Sequence, residues 1–570
     1  MNIQRVSASN HSISFKQANV NIMAFSDTHG DVKSTIPLYQ NFRDNKQDIF
    51  KDANNSSTLN VMALVGDWFM NPSQDGYLSD KTKTSGDYQA LFLSKFIEKI
   101  KEAVPKLSVL YTPGNHCLDG GDKVFLKNIK DIEMDTVISN SHLEEATLIK
   151  ELPIEQREKI KEFKILEVKD DKDPTFKHKV LAIGILPINI DFLVKEDISG
   201  LGLFGTSSVK EADLREKDAL VACEALKKIV DNFKKENPKG AVMLMSHSGE
   251  PISKAISRNI PEIDLVLNAH DHQDKISYVG HDDGSITKIV SLSQNAHKIE
   301  GVKIHFDDDG NIDISSKRCY TDFEKKAFSN PLDIFYKKTF EKDLAPVFSL
   351  KDPLGRPKIS VDDIRYENND LANFCTDSIF TQVNKEYPHI TVLGIPSTAF
   401  REDMPTSDTR AIMNMDIIDL MKGIAGDLSK IMIGQMSGKT LGSFIYENVV
   451  DNLASPSRNA LNQFSGIVIN KAAIQQAVES GIKIDRKDPA EIYKYIKIRT
   501  GDGTFEELNP EKDYEIALPK KLFVKSTNKE FKEAGKDFYN TEKMVSDYFK
   551  DFVADCPSEI PLQLDYRIIT

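Results

Sequence analysis

The sequence predicts an α/β fold, a layered sandwich followed by a second, α+β domain. Three observations carry this. Strand-like apolar runs alternate with helical stretches from about Asn19 and give way to successive strands by Phe306, the pattern of a layered sandwich. Five apolar runs end abruptly in Asp, Asn or His, as expected of strands delivering side chains to one carboxyl edge of an open sheet. Finally, 570 residues exceed a single hydrophobic core, since domains usually run to about 100–200 residues.

In chain order, Asn19 to Phe25 is a buried strand leading into Ser26-Asp27-Thr28-His29-Gly30-Asp31. Side chains on a strand repeat every second residue, so Asp27 and His29 can share a face. Ile36 to Phe42 is a short helix, with Thr35 placed to cap it and Pro37 tolerated in its first turn. Leu59 to Val65 is a second strand, ending in Gly66-Asp67, and Tyr88 to Ala103 has helical periodicity with lysines on a solvated face. Leu107 to Tyr111 runs into Thr112-Pro113-Gly114-Asn115-His116-Cys117-Leu118-Asp119.

Thr136 to Asn140 is a short strand, Glu151 to Glu162 a charged helical stretch, and Val180 to Ile185 a strand. Val209 to Phe233 is a long helix with acids early and lysines late, as the helix dipole favours. Ala241 to Met245 delivers Ser246-His247, and Asp264 to Leu267 delivers Asn268-Ala269-His270-Asp271-His272. Short strands follow to Phe306, with a hairpin turn at Asp309-Gly310. The expected domains are 19–316, a charged helical connector over 317–345, and 346–570. The last mixes helices (Asp370 to Glu386, Thr440 to Leu453, Ala472 to Ser480) with strands (Tyr493 to Arg499, Tyr514 to Leu518).

A formal net charge of −13 repels polyanions at long range, which argues against nucleic acid as a partner. The five cysteines are widely spaced, without a Cys-x-x-Cys pair, so reduced thiols fit better than disulfides or a thiolate zinc site. No secretory signal is evident near the start, and no run approaches the ~18 apolar residues of a membrane span. A cytoplasmic protein with no membrane partner is expected.

Oxygen and imidazole ligands without thiolates suit Zn, Mn, Fe or Mg, and a carboxylate can bridge two such ions. Asp-x-His, Gly-Asp or one histidine alone is a weak signal, but each here stands directly behind an apolar strand. Their order, Asp27-x-His29, Gly66-Asp67, Gly114-Asn115-His116, His247, His270-x-His272, resembles the calcineurin-like metallophosphoesterases over roughly residues 19 to 315. The resemblance implies a four-layer α/β/β/α sandwich and two divalent metal ions. One would be held by Asp27, His29, Asp67 and His272, the other by Asp67, Asn115, His247 and His270, with Asp67 bridging. It further implies that His116 contacts the phosphate and assists the leaving group, oriented by Asp119.

The chain departs from the family at Cys117, where an acid is common, and at Ala269, where a glycine precedes the histidine. Neither removes a ligand, and Cys117 is a poor candidate nucleophile beside metal-activated water. His11, His142, His178, His281, His297, His305 and His389 lack the strand-end setting and are structural or surface residues. Asp307-Asp308-Asp309-Gly310 is not a calcium loop, because Ser316 stands where that loop needs its closing Glu.

The second half is similar to the carboxyl-terminal domain of the 5′-nucleotidase family. The matching pieces are Leu371-Ala372-Asn373-Phe374-Cys375-Thr376-Asp377, Gly438-Lys439-Thr440-Leu441 with Glu447, and Gln463-Phe464-Ser465-Gly466. The resemblance implies substrate contacts from Arg401, Arg365 and Asn373, and a base held between two aromatic rings. Near the ring positions, however, the chain reads Gly426-Asp427-Leu428 and Lys520-Lys521-Leu522-Phe523, and Gly501-Asp502-Gly503 is better explained as a hairpin turn.

The expected activity is hydrolysis of a small phosphate monoester such as a nucleoside 5′-monophosphate. A phosphodiesterase or pyrophosphatase acting on cyclic nucleotides or nucleotide sugars is the alternative. A non-catalytic binding protein stabilised by metal is the third reading.

Overall fold

The computed structural model describes residues 18–569 other than 74–81, 171–174, 176, 195, 211–215, 295–297, 308, 321–329, 422, 425, 455–459, 482–483, 488, 502, 527 and 565–566. His11 and His297 lie outside the described residues. Two compact units are present: among the described residues the first comprises 18–73 and 83–339, and the second Thr82 together with 340–569.

The strands of the first unit are β1 (Ala18–Phe25), β2 (Thr58–Val65), β3 (Leu107–Thr112), β4 (Asp135–Val137), β5 (Ile160–Lys161), β6 (Phe163–Lys169), β7 (Lys177–Ile185), β8 (Ala241–Ser246), β9 (Leu265–Asn268), β10 (Ile276–Gly280), β11 (Ile286–Ser291), β12 (Lys298–Phe306) and β13 (Ile312–Tyr320). They form one sheet in the order β13-β12-β1-β2-β3-β4-β5 and a second in the order β10-β11-β9-β8-β7-β6. β1, β2 and β3 run parallel in the first sheet, as do β7, β8 and β9 in the second.

Alternate residues of the two sheets fill a shared apolar core, with Val20, Ile22, Val61 and Leu110 from one and Val180, Ala182, Met243 and Leu267 from the other. The opposite face of the second sheet packs helices Glu216–Glu236 and Glu250–Asn259 through Leu226, Val230, Ile252 and Ile256. Helices Thr35–Ile49, Ser85–Ala103 and Gly121–Ile129 belong to the other outer layer. The layering is therefore α/β/β/α. Helix Ser85–Ala103 starts where Thr84 and Asp87 cap each other's amides. Its Phe96 meets Phe25 edge-on at 5.7 Å, immediately before the loop carrying Asp27.

Several local expectations change. The first helix continues to Ile49, and Thr35 bonds back to Val32 while Asp31 accepts the amide of Lys33 ahead of it. Glu151 to Glu162 is not one helix: turns at Thr147–Glu151 and Ile154–Arg157 give way to β5. The long helix is described from Glu216.

Lys317 to Tyr320 is strand rather than connector, because β13 pairs with β12 residue by residue as far as Lys298 opposite Tyr320. Helix Pro331–Thr339 also belongs to the first unit, with Phe335 and Tyr336 against Phe92 and Asn330 bonded to the carbonyl of Ile36. Asp307 closes the β12–β13 turn by accepting the amides of Asp309 and Asn311.

The second unit has a five-stranded sheet in the order Asn462–Ser465, Val392–Pro396, Asp513–Pro519, Lys430–Ser437 and Tyr539–Met544. Helices Asp370–Glu386 and Val545–Asp555 pack together, Phe374 meeting Phe549 at 6.0 Å. A further sheet contains Ile496–Arg499 and Phe505–Glu507, an antiparallel pair closed by the bond from the Thr500 amide to the Thr504 carbonyl, as expected of a hairpin.

Phe96→Ala empties a fully buried site and is expected to destabilise the first unit by about 3–5 kcal/mol. Urea unfolding followed by the fluorescence of Trp68, the sole tryptophan, checks this in the unit where it reports.

Candidate metal centre

Parallel strands carry their carboxyl ends to one edge, and both sheets do so at the same place. Asp27 follows β1, Asp67 follows β2, Asn115 follows β3, His247 follows β8, and His270 and His272 follow β9. The loops after β1 and β2 are zipped together, with the amides of Asp27, His29 and Gly30 bonding the carbonyls of Gly66, Asp67 and Trp68. The β8 and β9 loops are joined likewise, the Ala269 amide bonding Ser246 and the Gly249 amide bonding Ala269.

Three groups of side chains bring ligand atoms within 4.8 Å of one another: Asp27, His29 and His272; His29, Asp67 and His116; Asp67, His247 and His270. His247 Nε2 lies 3.0 Å from Asp67 Oδ2 and 3.7 Å from Asp27 Oδ1, while His272 Nε2 is 3.5 Å from Asp27 Oδ1. Asn115 is bracketed by neighbours that touch the centre: the His116 amide donates to Asp67 Oδ1 at 2.9 Å, and a β-carbon on Gly114 would sit 2.3 Å from the same oxygen. Six of the seven expected ligands thus fall in these groups, and Asn115 stands next to the His116 amide that bonds Asp67. Of the remaining histidines, His142 stacks on Phe204, His178 on Phe306, His281 bonds Thr287, His305 bonds Asn19, and His389 is exposed.

The residues fit divalent metal binding. Asp27 and Asp67 are buried, yet Asp27 Oδ1 and the buried Asn115 Oδ1 meet no donor at hydrogen-bond geometry. Buried acceptors of this kind are costly unless something answers them. The donor set of carboxylate, amide oxygen and imidazole suits borderline or hard cations.

Five of the expected ligands, Asp27, His29, Asp67, His270 and His272, have left-handed backbone, with φ between 45° and 87°. Residues bearing a β-carbon avoid that region. Gly66 is also left-handed, and a β-carbon there would fall 1.8 Å from His247 Nδ1, so only glycine lets that ring reach its place. Nδ1 of His247 is held by the Val65 carbonyl at 2.9 Å, which leaves Nε2 facing the carboxylates.

Burial disfavours the Asp67 carboxylate, but the charges of His247 and His116 reverse this and hold its pKa far below the usual range. Asp27 is lowered on the same balance, burial opposed chiefly by His247 and His272. Burial opposes protonation of His247 too, yet Asp67 and Asp27 carry its pKa up to about 9. His29 is pulled down to about 3 by burial despite the same two carboxylates.

His116 Nδ1 lies 2.9 Å from Asp119 Oδ2, which also accepts the Asn71 amide at 3.2 Å. That amide is placed through Gln89, whose buried side chain accepts the Met70 amide and donates to the Met70 carbonyl. Nothing in the helical periodicity of residues 88–103 marks Gln89; only its burial and bonding reveal it. Cys117 is fully buried with Sγ 2.8 Å from the Tyr111 hydroxyl, and burial followed by the nearby Asp67 charge pushes its thiol up to about 12. It is no nucleophile.

The three expected substrate contacts lie in the second unit. The Arg401 guanidinium is beside Gly423, whose β-carbon would fall 2.7 Å from Nε. The Arg365 carbonyl accepts Leu461 and Asn452. Asn373 is buried and donates to Asn368. Near the expected ring positions, Asp427 pairs with Lys520 and Lys430, and Phe523 is buried in a stack with Phe531 at 4.8 Å.

The α/β/β/α layering and the candidate ligand groups at the strand ends are those of a metallophosphoesterase fold. Residues 20–274 match the family model described as Calcineurin-like phosphoesterase, so the chain carries a domain of that hydrolytic, divalent-metal-using family. A 5′-nucleotidase precursor from Thermus thermophilus is similar at 13% identity and a TM-score of 0.62, over 96% of this chain and 99% of that one. The sulfate thiohydrolase SoxB from the same organism is similar at 13% identity and a TM-score of 0.57, over 97% of this chain and 96% of that one. At this identity the likeness is one of fold, and it extends over both units. Comparison with curated proteins by sequence gives no match. Among the described residues, no helix is long and apolar enough to cross a membrane.

Two outcomes follow from the geometry. With Asp67 and Asp27 raising the His247 pKa to about 9, metal binding at this ring would expel a proton, and apparent affinity should rise about tenfold per pH unit from 7 towards 9, measured by titration calorimetry across buffers. Alkylation of the native protein should spare Cys117, and peptide mass spectrometry reads this directly.

Proposed function

We propose that the chain is a metal-dependent phosphomonoesterase that hydrolyses a small phosphate ester, such as a nucleoside 5′-monophosphate, at a dinuclear centre. The observation carrying this is the His116–Asp119 pair standing against a carboxylate, Asp67, that belongs to two ligand groups at once. Asp27, His29, Asp67 and His272 would hold one ion, and Asp67, Asn115, His247 and His270 the other; identities among Zn, Mn, Fe and Mg are left to metal analysis.

Such a pair of ions, when bound, supplies Lewis-acid polarisation of the phosphoryl group and a lowered pKa for water. The protein's own groups do the rest. The His116 amide fixes the orientation of Asp67. Asp119 engages His116 Nδ1, so Nε2 is the nitrogen that presents a proton to the departing oxygen. His116 and Asp119 keep 30% and 22% side-chain exposure, which leaves them accessible to substrate where the ligand carboxylates are buried.

Arg401, Arg365 and Asn373 are the proposed substrate contacts in the second unit. Because Phe523 is spent in the core and Asp427 pairs with Lys520, a nucleobase clamp is not supported by these side chains. A phosphodiester or pyrophosphate substrate is the second reading. A reducing, cytoplasmic setting agrees with the five unpaired thiols.

Phosphate release from nucleoside monophosphates and p-nitrophenyl phosphate, with Mn or Zn added, tests the reading. Chelation should abolish it and either ion restore it. His116→Ala should lower kcat by about 100- to 10,000-fold with metal content unchanged. Activity confined to diesters or pyrophosphates selects the second reading, and a metal-loaded protein silent on every ester points to the non-catalytic role.

A further inference from the structure

We propose that Asp271, which stands between two ligands and belongs to neither ligand group, is a positioning residue that locks the His247 loop to the His270-x-His272 loop and so sets metal affinity. This rests on the metal-centre reading above.

Asp271 Oδ2 accepts the Glu250 amide at 2.9 Å. Glu250 opens helix Glu250–Asn259, which begins three residues after His247. Asp271 Oδ1 accepts the Asn268 side-chain amide at 3.2 Å. Asn268 ends β9, and its Oδ1 accepts the hydroxyl of Ser253 from the same helix at 2.7 Å. One carboxylate therefore ties the helix that follows His247 to the strand that precedes His270.

The join matters because both flanking ligands are in backbone that the chain does not adopt unaided, φ 87° at His270 and 54° at His272. Gly249, at φ 79°, turns between His247 and the helix with Asp271 packed against it, a β-carbon there lying 3.8 Å from Oδ2. The Glu250 side chain faces elsewhere, bonded to Lys254, Lys275 and Ser277, so it fastens the helix to β10 and leaves the histidine loops to Asp271. Groups that orient metal ligands without touching the metal typically change affinity by about 10- to 100-fold.

A carboxylate at a helix start also stabilises the helix itself, so the test must separate folding from positioning. Mn and Zn binding to the metal-free full chain is measured by calorimetry for wild type, Asp271→Ala and Asp271→Asn, alongside thermal melting of each metal-free protein. Asp271→Ala should weaken binding by about 10- to 100-fold. Asp271→Asn keeps an acceptor for the Glu250 amide and should fall between. A lower melting temperature in Asp271→Ala with wild-type metal affinity makes the residue structural only and overturns the assignment. If Asp271→Ala does not fold, Asp271→Asn decides: weaker binding supports the assignment and wild-type binding overturns it. Wild-type protein that binds neither ion overturns both this assignment and the phosphoesterase reading.

Discussion

The first unit is arranged around a charge that has no business in a protein interior, the Asp67 carboxylate. It is 1% exposed, and burying an ionised carboxylate without compensation is among the costliest things a fold can do. Compensation comes from His247 at 3.0 Å and from the His116 amide, each delivered by a different strand end. Gly66 and Gly114 are the positions where the backbone comes too close for any side chain. Even so, the acids are only partly answered: Asp27 Oδ1 retains no hydrogen bond, and the two carboxylates draw the His247 pKa upward. A site that stays electrostatically incomplete after folding is one prepared for cations.

That preparation is held against strain. Each left-handed residue with a β-carbon costs on the order of 1–3 kcal/mol, and five ligands are of this kind. Such loops persist only where their surroundings over-determine them. Here two sheets packed face to face fix both ends of the problem, and side chains pin the loops between: Gln89 holds Met70, and Asp271 bridges Glu250 and Asn268. The rigidity of the sandwich and the strain of the ligands are two sides of one design.

Much of this was legible in the sequence because a buried strand ending in a polar ligand is an abrupt change of character. The runs before Asp27, Asp67, Asn115, His247 and His270 agree with their strands to within about a residue or two. β13 was not legible where it carries Lys317 and Arg318, since an edge strand with polar outward residues looks like any charged stretch until its partner β12 is known. Gln89 was missed for the opposite reason. It sits on a helix whose polar residues mostly face solvent, and only the loop it grips, distant in sequence, gives it a purpose. Asp271 was visible but served merely as the spacer between two histidines.

The second unit shows where motif matching stops and side-chain commitments take over. Phe523 lies near a position where the 5′-nucleotidase resemblance looks for a stacking ring, but an aromatic ring already stacked on one face cannot offer that face to a ligand. Phe531 lies between Phe523 and Phe444, at 4.8 and 4.0 Å, and all three rings are buried. Freeing Phe523 would therefore dismantle a core stack, at a cost comparable with the roughly 1–3 kcal/mol that stacking on one base returns. The other position carries Asp427, held by Lys520 and Lys430. Discrimination by an aromatic clamp is thus disfavoured on energetic grounds.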